Sequence, residues 1–244
     1  MTNRTVEASQ QTYARAAGFL SLIIIITAVF ASFYVRDNLI VWGNAAETAN
    51  NIMASEQLFR LGFAADLIAF LCDVLLSVLF YLLLKPVNNT LALIAAFFRL
   101  AMSAILGINL LNHFNVLLLL SGADYLTVID TDQLHALVML FLNAHAYGSL
   151  IGLIFFSPHV FLIGYLFFKS RYIPRILGVL LIIASFSYLL GSIGIILFPN
   201  YATIISPGFL LPAAVAEWSL TLWLLFKGVN TRHWDNRNKG AVAA

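Results

Sequence analysis

Four ionisable side chains stand where apolar ones would be expected. Asp73, Arg99, His159 and Glu217 each lie deep inside a long run of apolar residues. A charged group at the centre of a membrane-crossing helix costs about 2.5–3.5 kcal/mol on the insertion scale, so such groups are paired or they work. Counted from the residue that ends each run, Asp73 is 12 residues from Lys85, Arg99 is 11 from Asn88, His159 is 10 from Lys169 and Glu217 is 10 from Lys227. At 1.5 Å per residue all four reach roughly 15–18 Å, the middle of a hydrocarbon core ~30 Å thick. Two carboxylates, a guanidinium and an imidazole at one level can bind a small polar solute or a lipid headgroup. Tyr188 shares one helical face with Ser185 and Ser192 and joins these candidates, as does Asp66, on the face of Asp73 and Ser77. The plainer alternative is a lock: Asp73 and Arg99 lie 13 residues either side of Pro86, so a tight hairpin brings them face to face. A lock needs two groups, and there are four.

A second level lies nearer the far ends of the same runs. His113 is 25 residues from Asn88 and His145 is 24 from Lys169, with Asn109, Asn112 and Asn143 nearby and Asp66 somewhat deeper. Two histidines and a carboxylate with an open position are a catalytic zinc pattern, so His113, His145 and Asp66 are candidate ligands of a divalent metal. The alternative is a pair of interfacial histidines bonded to asparagines and loop carbonyls. His145 and His159, 14 residues apart, also have the spacing of stacked b-type haems. Each haem would need a second axial histidine, and His113 could serve only the outer one. No cofactor is therefore expected, with zinc or another divalent metal as the alternative.

These residues need long apolar elements to hold them. The chain has 244 residues, 61% hydrophobic and 10% charged, against about 25% charged in a soluble domain. Several runs exceed the ~20 residues that cross a bilayer. The expected fold is all-α, a polytopic transmembrane bundle of six spans at about 14–35, 58–84, 90–120, 133–168, 173–198 and 208–226. The first run is too long for a cleaved signal and is read as a retained span. The fourth is too long for one perpendicular crossing, with Pro158 as its natural kink. The segment "GSLIG", 148–152, is a small-xxx-small pattern suited to close helix packing. Trp42 and Trp234 suit interface anchors.

Charge sets the orientation. Ten basic residues (Arg4, Arg15, Lys85, Lys169, Arg171, Arg175, Lys227, Arg232, Arg237 and Lys239) fall in the termini and even-numbered connections. The odd-numbered connections hold Arg36 and Arg60 among acidic residues. The positive-inside rule then places both termini in the cytoplasm, which divides the chain into a cytoplasmic segment 1–13, the bundle 14–227 and a cytoplasmic tail 228–244. One cysteine, Cys72, excludes an intramolecular disulfide and CxxC chemistry. A net charge of +2 without a basic stripe excludes nucleic acid as a partner. The expected partners are the lipid bilayer and a small-molecule or lipid ligand; oligomeric state is not legible.

The strings "RLGFAADLIAFLCDVLLSVLFYLLLKPVN", "LALIAAFFRLAMSAILGINLLN", "LLLLSGADYL", "FLNAHAYGSLIGLIFF" and "YIPRILGVLLIIA" resemble the bacterial membrane family called domain of unknown function 4386, over about residues 10–230. The resemblance implies a six- or seven-span protein of the bacterial cytoplasmic membrane and carries no activity with it. Its recurring strings coincide here with Arg60, Asp66, Asp73, Arg99, Asn143 and His145. Three functions stay open: binding or transport of a small polar solute or lipid headgroup, a membrane-embedded metal-dependent hydrolase acting on a lipid, and a non-catalytic structural or sensory role.

Overall fold

In the computed structural model, which describes residues 2–230 and the side chains of 10–230 other than 207 and 209, every regular element is a helix. The side chain of Arg4, and Arg232, His233, Trp234, Arg237 and Lys239 with most of the 228–244 tail, lie outside the described residues.

The long helices are α1 (Thr2–Val29), α3 (Glu56–Leu84), α4 (Asn89–Leu119), α5 (Thr131–Ser170), α6 (Arg175–Leu197) and α7 (Ala202–Phe226), with a short α2 (Ala45–Ala54) between the first two. α1 runs on through a π-helical stretch, Phe30–Arg36, and a last turn, Asp37–Leu39. Among the described residues, five helices are long and apolar enough to cross a membrane, or six when the bent pair Pro199–Ser206 and Leu210–Phe226 is taken as one span. The protein is an all-α, multi-pass membrane protein. The sixth helix starts at Ala202 rather than near 208, and its 42° bend accounts for the discrepancy, because the apolar run marks only the part after the bend. Pro158 does not end α5, which continues for 40 residues through it. The segment between α1 and α3, expected to be a connection, contains α2, whose N-cap Asn44 accepts from the Glu47 N–H at 3.1 Å.

Two compact units divide the described chain: residues 2–22, 72–103 and 150–230 form one, and 23–71 and 104–149 the other. Within the first, the turn at 85–88 closes the α3–α4 hairpin. Val87 N–H donates to the Leu84 carbonyl at 2.9 Å, and Asn88 caps α4 by accepting from Leu91 N–H at 2.9 Å. Tyr81 Oη donates to Asn89 Oδ1 at 3.0 Å, and one level further Ser77 Oγ donates to the Ala96 carbonyl at 3.0 Å. This fixes a register centred near Pro86. Lipid is as apolar as leucine, so helices in it are held by close packing at small residues. A Cβ on Gly178 would lie 2.7 Å from the Gly164 carbonyl, and one on Gly18 2.6 Å from Leu225 N. Those contacts bring α5 against α6 and α1 against α7 backbone to backbone.

The second unit has its own apolar cluster. Val35, Leu39, Ile52, Phe59, Val116 and Leu142 are all buried in it. Gly62 lets α3 approach Val35, which a Cβ would meet at 2.9 Å. Gly148 is also used, though not for backbone contact: a Cβ there would collide with the side chain of Asn109. Trp42 is 55% exposed, as an interface anchor would be.

Candidate functional site

In the first unit the hairpin register carries Asp73 of α3 and Arg99 of α4 together. They form a buried ion pair, Arg99 Nη2 donating to Asp73 Oδ1, with side chains 6% and 7% exposed. Ser103 Oγ of α4 turns back to the Arg99 carbonyl at 2.9 Å. The other end of the guanidinium donates from Nη1 to His159 Nε2 at 3.0 Å. His159 Nδ1 donates to the Ala95 carbonyl at 2.8 Å. A neutral imidazole has one donor and one acceptor, and these two bonds use both, which fixes the Nδ1–H tautomer. His159 therefore has no free nitrogen to offer a haem iron.

Aromatic rings insulate the guanidinium. Its carbon lies 5.3 Å from the centroid of Phe156 and 5.9 Å from that of Phe80, within cation–π range. Phe156 also stacks on His159, with centroids 5.5 Å apart and planes at 20°, and meets the edge of Tyr188 at 5.4 Å. Tyr188 Oη donates to Glu217 Oε1 at 2.7 Å. Helices α3, α4, α5, α6 and α7 thus each supply one member of a layer running Asp73, Arg99, His159, Tyr188, Glu217. Two of its polar atoms are incompletely served. Arg99 Nε is buried without an acceptor, and Glu217 has no cation within 4 Å among the described residues. Ser192, on the face of Tyr188, is also buried without a hydrogen-bond partner among the described residues.

Asp66 has a cation of its own. In the second unit its Oδ2 accepts from Arg36 Nη1 at 2.5 Å, while Arg36 Nη2 donates to Ser32 Oγ at 2.6 Å. Sequence placed Arg36 among the charges of a connection. It is instead the last residue of the π-helical stretch, 19% exposed, and turned onto Asp66. The signal available was a carboxylate without a cation on its own helix face. Single-turn π segments within α-helices are frequent at functional sites, but nothing in the residue types announces one.

His113 and His145 lie beside this pair. Their rings stack with centroids 3.7 Å apart and planes at 22°, and Phe59 flanks His113 at 5.2 Å. Ligand atoms of Asp66, His113 and His145 all lie within 4.8 Å of one another. His145 Nδ1 faces Asn109, whose carbonyl is at 3.4 Å and side-chain amide at 3.2 Å. Asn109 Nδ2 also donates to the His145 carbonyl at 2.9 Å and to Ser149 Oγ at 3.2 Å, and Asn112 donates to Asn109 Oδ1 at 2.9 Å. Two of the three expected asparagines thus serve the cluster. Asn143 does not, because its amide donates to the Met139 carbonyl of its own helix at 2.9 Å.

A cleft of ≈ 450 Å³ opens elsewhere in the first unit, lined by Arg171, Tyr172, Trp223, Lys227 and Asn230 among others. None of the site residues expected from sequence lines it.

The model of the family described as domain of unknown function (DUF4386) matches residues 16–228. A protein of Archaeoglobus fulgidus, described as "Uncharacterized protein", is 28% identical over 156 residues, which is 64% of this chain and 76% of that protein. No solved structure matches the chain.

Proposed function

The chain belongs to the domain of unknown function 4386 family, and we propose that it is a multi-pass protein of the bacterial cytoplasmic membrane that binds or transports a small polar solute or a lipid headgroup. The binding layer is Asp73, Arg99, His159, Tyr188 and Glu217. The observation that supports this reading is the pair of leftovers in an otherwise bonded layer: a donor at Arg99 Nε and a carboxyl, Glu217, held by one hydroxyl. A carboxylate offers about four acceptor positions, and Tyr188 uses one. A buried donor such as Arg99 Nε is normally satisfied, and a ligand carrying both an acceptor and a donor would serve it and the half-buried Glu217 carboxyl. The mid-membrane position of these residues on their helices agrees with the default functional meaning of intramembrane charge. The same proposal puts residues 1–13 and 228–244 in the cytoplasm, on the ten-to-two distribution of basic residues.

The test compares purified wild-type protein with Glu217→Gln and Arg99→Lys by native mass spectrometry of co-purified small molecules and lipids. A bound species present in the wild type and lost from both variants is the expected result. A wild type that carries nothing specific, and that no member of an amine, amino-acid and phospholipid panel stabilises thermally, would end the proposal. A second reading, a metal-dependent hydrolase acting on a lipid, draws support from one observation, the convergence of Asp66, His113 and His145.

A further inference from the structure

We propose that Asp66, His113 and His145 form a site for one first-row divalent cation of the zinc class, with His145 Nε2, one imidazole nitrogen of His113 and one carboxylate oxygen of Asp66 as its protein ligands. The site is separate from the Asp73–Arg99 layer in residues and in chemistry, and stands whether or not that layer binds a solute.

His113 is the first argument. The residue is 2% exposed, and both its ring nitrogens are buried without a hydrogen-bond partner among the described residues. A neutral imidazole has one N–H donor and one lone pair, and burying either unsatisfied costs about 1–3 kcal/mol. Buried histidines normally avoid this, as His159 does through Arg99 and Ala95. An ion at one nitrogen would account for one of these two orphaned atoms.

The neighbours are the second argument. Ring stacking at 3.7 Å holds His145 and His113 in register. His145 meets Asn109 through Nδ1 and makes no hydrogen bond through Nε2 among the described residues. A proton on Nδ1, donated to the Asn109 carbonyl, leaves the Nε2 lone pair for a metal. That is the usual outer bond of a ligating histidine, which orients the ring and sets its tautomer. Asp66 has the corresponding outer bond, because Arg36 holds its Oδ2 at 2.5 Å. Arg36 is in turn fixed by Ser32. Three ligands at 2.0–2.2 Å around a tetrahedral ion stand about 3.4 Å apart. The present separations are all within 4.8 Å, and ion binding would draw them in to that spacing.

The ligand set also selects the ion. Arg36 offsets the charge of the only carboxylate, so attraction by net charge is weak and affinity rests on two imidazoles. Imidazole suits zinc and its first-row neighbours, whereas magnesium and calcium want several hard oxygens. Three protein ligands leave a fourth position open, the arrangement of catalytic rather than structural zinc sites.

The experiment uses full-length protein in nanodiscs, without a polyhistidine tag, stripped with chelator and titrated with zinc chloride. The expected result is one zinc per chain, not displaced by a hundredfold excess of magnesium or calcium, with binding weakened at least tenfold in His113→Ala and in His145→Ala. Zinc-edge X-ray absorption of the wild type should show two imidazoles and oxygen at ~2.0–2.1 Å. That measurement holds even if the variants fail to fold. Substoichiometric uptake, full uptake by His113→Ala, competition by magnesium or calcium, or an absorption spectrum without two imidazoles would overturn the proposal.

Discussion

Replacing Arg99 by methionine should destabilise the protein more than replacing Asp73 by asparagine, and replacing both partners by apolar residues should recover part of the loss. The magnitude follows from what each change leaves behind. Arg99→Met removes the hydrogen-bond partner of Asp73 and the donor to His159 Nε2. Stranding one member of a buried ion pair costs ~3–5 kcal/mol, and an unsatisfied imidazole acceptor adds ~1–3 kcal/mol. The rings of Phe80 and Phe156 also lose a cation worth ~0.5–2 kcal/mol. Asp73→Asn keeps an oxygen that can accept from Arg99, so only the charge is uncompensated and the cost falls near the lower end, ~3 kcal/mol. In Asp73→Leu/Arg99→Met no charge remains, and such apolar replacement is often neutral. Only the His159 acceptor is then unserved, so the double variant should be about 2 kcal/mol or more better than Arg99→Met alone. Equilibrium unfolding in mixed micelles, followed by circular dichroism, measures all of these. Additive single and double effects, or an Arg99→Met variant as stable as the wild type, would rule out a coupled buried pair.

Gly178→Ala should destabilise by ~1–3 kcal/mol, because its Cβ would meet the Gly164 carbonyl at 2.7 Å. Gly107→Ala, where a Cβ would meet nothing within 4 Å, should instead stabilise by ~0.5–1 kcal/mol, and thermal unfolding in detergent reads the contrast. Tyr188→Phe removes the hydroxyl that serves Glu217; a loss of ~1–3 kcal/mol is expected in the same assay, abolished in the Glu217→Leu background by a double-mutant cycle. For orientation, a cysteine at Val128, 87% exposed, should react with an impermeant maleimide added to intact cells in a Cys72→Ser background. Labelling only after lysis would reverse the assignment.

The class and much of the inner layer are legible in the order of residues alone. Apolar runs longer than a bilayer is thick have one folded solution in lipid, the helix, because every backbone group must be satisfied within the segment. The turn "KPVNN" fixes a two-helix register by chain connectivity alone, so Asp73 could be matched with Arg99 by counting from Pro86. His159 and Glu217 were found by depth, a quantity that helix rise makes countable. Azimuth, and partners across helices distant in sequence, emerge only in the folded protein. It assigned Asp66 to Arg36 rather than to Asp73, although Asp66 and Asp73 share a face of one helix, because the pairing depends on where a π-helical stretch turns the end of α1. It also put Phe156 between the Arg99–His159 pair and Tyr188, an ordinary apolar residue by type, and brought Gly164 and Gly178 into backbone contact between helices. The physical reason is that helix-on-helix rotation in lipid is set by packing and a few polar contacts between segments. Those terms appear only when two helices are already side by side, so no single stretch of the chain encodes them.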